Sequence, residues 1–447
     1  MRFIMFNIKR ILSNYKLLLF TTLCLIVILL LIFFDYNKKK KLLLSEIKDL
    51  KSENLLINRQ IKKIEKIFAG KKYFNQEILS SKSTKYNLTK YYLGQLVRGK
   101  KKALISNKWS YFDRKDDNIY LMSASGQSFY FNISDLNNND LKIVEIDNNL
   151  NNVFKLNDTY KRFTVKDILI SEDNNIYVSV INLEKENCHN IVIYKSTIDI
   201  NSLNFEEFFN PGECVKLQDN GKVPSSQNGG RIVDYKDNKL LFSAGDFSIY
   251  ELAQDNKSFF GKIYSIDKNE PSNYKKISMG HRNPQGLFYD KEKDLIFSTE
   301  HGPEGGDEFN QIIEGKNYGW PIASYGELGD ETIKLRAPNI IKLLKSHSEN
   351  GFEEPIKEFT PSIGISQLIK NYFNISNNES YFITSMKNSE LGYSIYQIDF
   401  DSNYNVTNED KIYLGDRIRD ILYINEKDIY LVMLESSYAL GLLKKIN

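Results

Sequence analysis

The chain has 447 residues, 41% of them hydrophobic and 13% aromatic, enough for one large folded domain or two ordinary ones. Its 60 basic and 57 acidic residues leave a formal charge of +3, which excludes the concentrated basic face of a nucleic-acid-binding protein. Three cysteines without a CxxC or Cys/His spacing exclude a cysteine-based metal site, and the many Tyr (28) and Phe (27) residues favour strands.

Residues 1–16 form a basic segment carrying Arg2, Lys9, Arg10 and Lys16. Residues 17–34, LLLFTTLCLIVILLLIFF, contain no charge and would span about 27 Å as a helix, nearly a bilayer core. DYNKKKK follows, with no small-residue cleavage site, so the segment is expected to be an uncleaved single-pass membrane anchor. Lys38 to Lys41 balance the upstream charges, so the charge rule does not set the orientation.

Residues 42–70 are predicted to form a coiled-coil stalk. Leu43, Ile47, Leu50, Asn54, Ile57, Ile61, Ile64 and Phe68 follow one another by alternating steps of four and three. Asn54 is the single polar residue at an a position, a register-setting device in parallel dimers, so a homodimer through residues 43–68 is expected. A lone amphipathic helix lying on its own domain is the alternative.

From about residue 95 the period changes. A polar turn followed by alternating aliphatic and aromatic residues recurs in DNIYLMS (117–123), NNIYVSV (174–180), NKLLFSA (238–244), KDLIFST (293–299), ESYFITS (379–385) and KDIYLVM (427–433). Taking Tyr120, Tyr177, Leu241, Ile296, Phe382 and Tyr430 as equivalent, the spacings are 57, 64, 55, 86 and 48 residues. Six copies with room for four strands each predict an all-β, six-bladed β-propeller over residues 95–447, with an insertion near 322–358. Two packed sandwiches would leave six similar units unexplained. Cys188 and Cys214 flank one blade, and both a disulfide and two buried thiols fit there.

The densest motif is residues 280–321, GHRNPQGLFYDKEKDLIFSTEHGPEGGDEFNQIIEGKNYGWP. It gathers two of the four histidines, an Arg-Asn-Pro turn, two acidic glycine-rich turns and one of the two tryptophans. GHRNPQGL, EHGPEGGDE and GKNYGWP at these separations resemble the glucose/sorbosone dehydrogenase family, the soluble quinoprotein sugar dehydrogenases that use pyrroloquinoline quinone (PQQ). NGGRI (228–232), LLFSAGD (240–246), GKIYSID (261–267), PSIGIS (361–366), SMK (385–387) and GDRIRDI (415–421) extend the likeness over roughly residues 160–435. The family fold is a six-bladed propeller.

The resemblance implies an enzyme that oxidises an aldose to a lactone with PQQ and Ca2+, outside the cytoplasm on the periplasmic or extracellular side. It places Lys387, Arg417 and Arg419 on the cofactor carboxylates, where Arg offers a planar fork and Lys a point charge. It places Arg282 and Asn283 beside the quinone carbonyls, where a cation stabilises developing charge. Ser362 stands where the family has a cofactor-binding threonine. Gly302 and Pro303 match a turn whose carbonyls hold calcium by the cofactor, and Glu308 with the Tyr318 backbone matches a second calcium site. Arg231 would hold the blade turn beside the base position.

One departure bears on activity. The family's general-base histidine precedes the GGR run, and here that position is Gln227. A glutamine amide hydrogen-bonds a hydroxyl but does not take its proton near neutral pH. A propeller that binds a sugar, a quinone or a protein without chemistry is therefore the alternative, and a scaffold for assembly is a third reading.

Overall fold

The computed structural model describes residues 77–93, 110–153 apart from 137 and 139, 165–185, 188–216, 227–328, 344–373, 379–387 and 391–446, with the isolated positions 39 and 45. The chain divides into a unit of residues 1–67 and a second unit of residues 68–447. The expected anchor at 17–34 and, apart from position 45, the stalk at 42–70 lie outside the described residues. Among the described residues, no helix is long and apolar enough to cross a membrane.

The second unit is a six-bladed propeller. Its described strands form six antiparallel sheets of four or five strands, with a short parallel pairing of Ser202–Leu203 onto Val144–Asn148 in the first blade. The innermost strands are Ser110–Lys115, Val165–Ile170, Gly229–Tyr235, Pro284–Asp290, Ile365–Lys370 and Ile418–Ile424. Each touches the next and the last touches the first, closing a ring around a central axis.

The recurring sequence signature falls on the second strand of every blade: Asn118–Ser123, Asn175–Lys185, Lys239–Ala244, Leu295–Glu300, Glu379–Ser385 and Ile429–Leu434. Neighbouring blades cover both faces of these strands, so they read as nearly unbroken apolar runs. Ile429–Leu434 is buried at all six positions. Five of the six polar turns have a simple cause. Asp116, Asn174, Asn238, Asp294 and Asp428 adopt left-handed φ values of 50°, 64°, 56°, 57° and 49° in the hairpin between first and second strands. Asp and Asn tolerate that conformation better than other side chains.

The propeller begins earlier than the expected residue 95. Lys85–Tyr92 pairs antiparallel along its whole length with Ala439–Ile446, and Glu77–Ser80 adds an outer strand. The last blade therefore takes its outer strands from upstream of all the others. Residues 77–92 lack the turn-plus-signature pattern because they are outer strands. The insertion lies in the fourth blade, between Asp307–Ile312 and Lys357–Phe359. Cys188 and Cys214 are disulfide-bonded, which settles the alternative left open by the sequence.

Candidate functional site

Antiparallel blades bring separate loops to one end of the ring. The first strand of a blade runs away from that end and the second returns to it. Residues just before the innermost strands (Gln227, Arg282, Ser362, Arg417) thus share a mouth with residues just after the second strands (Asp246, Gly302, Lys387, Glu435). Five of the six innermost strands start with a bulge, at 165–167, 229–232, 284–286, 365–368 and 418–421. A bulge re-aims the side chains it contains, here Lys166, Arg231, Gln285 and Arg419 among others.

Below the mouth, Arg231 is a structural hub. It is 3% exposed. Its Nη1 reaches Asp167 Oδ1 at 2.8 Å and Asp420 Oδ1 at 3.2 Å, while Nε donates to the Gln285 carbonyl (2.7 Å) and Nη2 to the Arg419 carbonyl (3.1 Å). The guanidinium also lies 5.1 Å from the centre of the Tyr111 ring. Asp167 and Asp420 in turn accept from backbone N–H groups of Ile232 and Phe112 on neighbouring blades. Burial pushes the pKa of both carboxyls up, and Arg231 opposes the rise.

Closer to the mouth, Glu435 is fully buried and serves two arginines. Its Oε2 lies 3.0 Å from Arg417 Nε and its Oε1 2.6 Å from Arg419 Nε. Arg417 Nη1 donates to the Met386 carbonyl (2.7 Å), which puts its guanidinium against the peptide leading into Lys387. Lys387 is exposed. Arg419 Nη1 donates to Gln285 Oε1 (3.1 Å), Gln285 Nε2 to Asn283 Oδ1 (3.0 Å), and Asn283 Oδ1 also accepts from Gly229 N (3.2 Å). The fold therefore joins Asn283, Arg417 and Arg419 in one connected set, with Lys387 next in the chain to Met386, whose carbonyl Arg417 holds.

Gln227 stands in a left-handed conformation (φ 63°), strained for a non-glycine residue. A close backbone approach fixes it there: a Cβ on Gly245 would lie 2.1 Å from the Gln227 carbonyl oxygen. With its amide oriented to satisfy both neighbours, Gln227 Nε2 donates to Asp246 Oδ1 (2.9 Å) and Oε1 accepts from Arg282 Nη2 (2.7 Å). Asp246 is wholly buried, accepts from Trp320 Nε1 (2.7 Å) and Ser248 N (2.7 Å), and is pushed up to about 7 by burial, against the pull of Arg282. The Arg282 guanidinium lies 5.2 Å from the centre of the Trp320 ring and donates through Nη1 to the carbonyls of His301 (3.0 Å) and Gly302 (2.6 Å). Its Nε is buried without an acceptor, a costly state for a charged donor.

The glycine-rich turn is organised by Asp307. Its Oδ2 accepts from Ser362 Oγ (2.7 Å) and from the N–H groups of Ile363, Gly364 and Ile365, and its Oδ1 from Gly302 N (3.1 Å). Ser362 is thus turned to loop structure rather than left facing the mouth. Glu308 is buried, 3.4 Å from His347 Nε2 and 3.3 Å from Asn310 Nδ2. Burial and the nearby Glu300 push its pKa well above the ordinary carboxylate range. A cavity of about 10 Å³, room for about one water, lies between Arg282, Glu300, Gly302, Glu308 and Trp320. Tyr318 donates from its backbone N to the Met279 carbonyl and stacks on His281, whose ring bonds Ser278 and Glu300. Among the described residues, no group of three or more His, Cys, Asp or Glu side chains could hold a metal.

Sequence reasoning missed Asp246, Asp307 and Glu435. Each left a signal, an acid at the end of an otherwise apolar strand or next to two glycines, as in LLFSAGD and LVMLESS.

The family model described as Glucose / Sorbosone dehydrogenase matches residues 167–441. The aldose sugar dehydrogenase YliI of Escherichia coli is 29% identical over 227 residues, 47% of this chain and 57% of that protein. Quinoprotein glucose dehydrogenase B of Acinetobacter calcoaceticus is 24% identical over 290 residues, 48% of this chain and 60% of that protein. The matched part thus spans little more than half the length of these curated relatives. The crystal structure of the apo soluble aldose sugar dehydrogenase from Escherichia coli superposes with a TM-score of 0.57, 20% identity, and coverage of 75% of this chain and 95% of that one, which supports the same propeller fold.

Proposed function

Because the chain belongs to the glucose/sorbosone dehydrogenase family, we propose that it is a membrane-anchored sugar dehydrogenase that oxidises an aldose to a lactone using PQQ and calcium. One observation carries the cofactor part of the reading. Arg282 Nε is buried without an acceptor, and Glu435 holds the Arg417 and Arg419 guanidiniums side by side near the mouth. That donor set fits a ligand with several carboxylates and carbonyl oxygens. The relatives named above as an aldose sugar dehydrogenase and a quinoprotein glucose dehydrogenase support the same class.

PQQ would supply an ortho-quinone able to accept hydride from the sugar. Arg417, Arg419 and the exposed Lys387 would bind the carboxylates, with Glu435 fixing the two guanidiniums. Arg282, braced by Trp320 and by the 301–302 carbonyls, would hold a fixed positive charge beside the reacting oxygens. Asn283 would add a side-chain hydrogen bond there. Calcium would be held by the Gly302 and Pro303 carbonyls and, at a second site, by Glu308 and the Tyr318 backbone. The buried pair Glu300 and Glu308 suits a hard cation, although the Gly302 carbonyl already accepts from Arg282.

The proton is the weak point. Gln227 uses both ends of its amide on Asp246 and Arg282, and neither end accepts a proton. The same observation favours a second reading, a propeller that binds its ligand without turnover. The disulfide supports an oxidising compartment for the propeller, and the pattern at 43–68 supports a homodimer.

The test is the full chain loaded with PQQ and calcium, followed by dye reduction with a panel of aldoses and by the PQQ absorbance. Slow turnover is expected. Gln227→His should raise it by about 10²-fold or more, because Asp246 Oδ1 stands ready to orient the imidazole through its N–H. Bound PQQ without turnover in either protein selects the binding reading, and no PQQ binding removes the cofactor.

A further inference from the structure

Tyr111 has so far served only as a face for the Arg231 guanidinium. It is the second residue of the innermost strand Ser110–Lys115 of the first blade, and it lies outside the residues 167–441 that the family model matches. Two observations fix its place. The first is the ring, whose centre is 5.1 Å from the guanidinium carbon of Arg231. Arg231 comes from the third blade, which is not a neighbour of the first, so the contact is made at the axis. The second is register. Phe112 N donates to Asp420 Oδ2 (3.3 Å), which sets Phe112 level with Asp420. Tyr111 is then level with Arg419, one residue nearer the mouth on each strand.

The side chain is 3% exposed, and its ring belongs to the apolar cluster that holds Met122, Val165 and Ile168. Among the described residues, nothing hydrogen-bonds its hydroxyl. Other buried tyrosines of this fold spend theirs. Tyr91 donates to the Asn138 carbonyl (2.9 Å), Tyr264 to the Phe259 carbonyl (3.0 Å) and Tyr430 to the Lys370 carbonyl (2.8 Å). Ser110, wholly buried and next in the chain, also has an Oγ without a partner. A buried hydroxyl left idle costs stability, and such groups are rare in native structures. The mouth end of the first blade thus holds two hydroxyls that the fold itself does not use.

The charges facing the phenol are Arg419, Arg231, Asp167 and Glu435. Asp167 is committed to Arg231 and the Ile232 N–H, and Glu435 to Arg417 and Arg419. Burial pushes the phenol up to about 12, against the pull of the two arginines. It is therefore a proton-bearing donor at neutral pH, beside an arginine to which the function proposed above gives a ligand carboxylate.

We propose that the Tyr111 hydroxyl donates a hydrogen bond to the ligand carboxylate that Arg419 holds, which makes it a binding residue supplied by the first blade. The inference rests on the reading that the mouth takes PQQ. A hydrogen bond from a hydroxyl to a carboxylate is charge-assisted and stronger than one between neutral groups. With the ring already packed against Arg231, little side-chain freedom remains to be lost on binding.

The experiment is calorimetric titration of the full chain and of Tyr111→Phe with PQQ, with a thermal melt of each protein without ligand. Tyr111→Phe keeps the ring on Arg231 and removes only the hydroxyl. It should bind PQQ about tenfold more weakly, by the same factor at pH 6 and pH 9, and melt no lower than the unsubstituted protein. PQQ trimethyl ester, whose carboxylates are blocked, should bind the two proteins alike. Unchanged PQQ affinity in Tyr111→Phe overturns the inference and leaves the cofactor reading standing. A weaker affinity that comes with a lower melting temperature also overturns it, since the hydroxyl would then serve the fold. An equal loss with the ester overturns it too, because the acceptor would not be a carboxylate. Failure of the unsubstituted protein to bind PQQ overturns the reading and the inference together.

Discussion

Two arginine clusters adjoin each other in the same ring, and they are wired differently. Arg231 faces two carboxylates, Asp167 and Asp420, and gives its remaining donors to two backbone carbonyls. Arg417 and Arg419 share one carboxylate between them, and one of the two remains part-exposed. The first cluster is complete in the absence of any ligand and ties four blades together. In the second, Glu435 holds two guanidiniums side by side, with Arg417 part-exposed at the mouth. A buried arginine alone is therefore no sign of a binding site, and its exposure towards the mouth is the more telling quantity.

The sharpest way to break the comparison is to remove the hub. Arg231→Met leaves Asp167 and Asp420 buried without their cation, and should destabilise the fold by about 3–5 kcal/mol, read by urea unfolding. A second measurement separates the mouth from the hub by pH. Asp246 ionises near 7 when folded and near 3.8 when unfolded, so the folded state holds its proton more tightly. Its contribution is fully present below pH 4 and declines as pH rises towards 7. The difference in unfolding free energy between pH 4.5 and pH 8 should shrink in Asp246→Asn, by up to about 3 kcal/mol on the scale of 1.36 kcal/mol per unit. The smallest effect belongs to the cluster nearer the mouth. Arg417→Met should barely change stability, because Arg419 still satisfies Glu435, yet weaken PQQ binding about tenfold, about 1.4 kcal/mol. An Arg417 variant that unfolds as readily as the Arg231 variant would erase the distinction.

The architecture was legible in the sequence because blades repeat a physical problem. Each second strand is covered on both faces and each must be preceded by a tight hairpin, so apolar runs and left-handed Asp or Asn recur together. Tyr120, Tyr177, Leu241, Ile296, Phe382 and Tyr430 mark those strands correctly. Strands 77–80 and 85–92 were missed because outer strands face solvent on one side and carry no such run. In the mouth, the motif residues were legible, but their partners were not. Asp246, Asp307 and Glu435 act on partners 16 to 74 residues away, and composition carries no record of such pairing. Ser362 shows the converse, since its identity suggested a ligand contact and the fold gave its hydroxyl to Asp307. The Gln227 departure was visible as a letter, while its bridging of Asp246 and Arg282 needed coordinates.

The pairing of Lys85–Tyr92 with Ala439–Ile446 has a consequence during synthesis. Strand Lys85–Tyr92 is made some 350 residues before the strand that pairs with it, so it can be fastened only after the other five blades have been synthesised. Until then the open edges can pair with other strands, and cutting out Ala439–Ile446 would leave the torus without its seam.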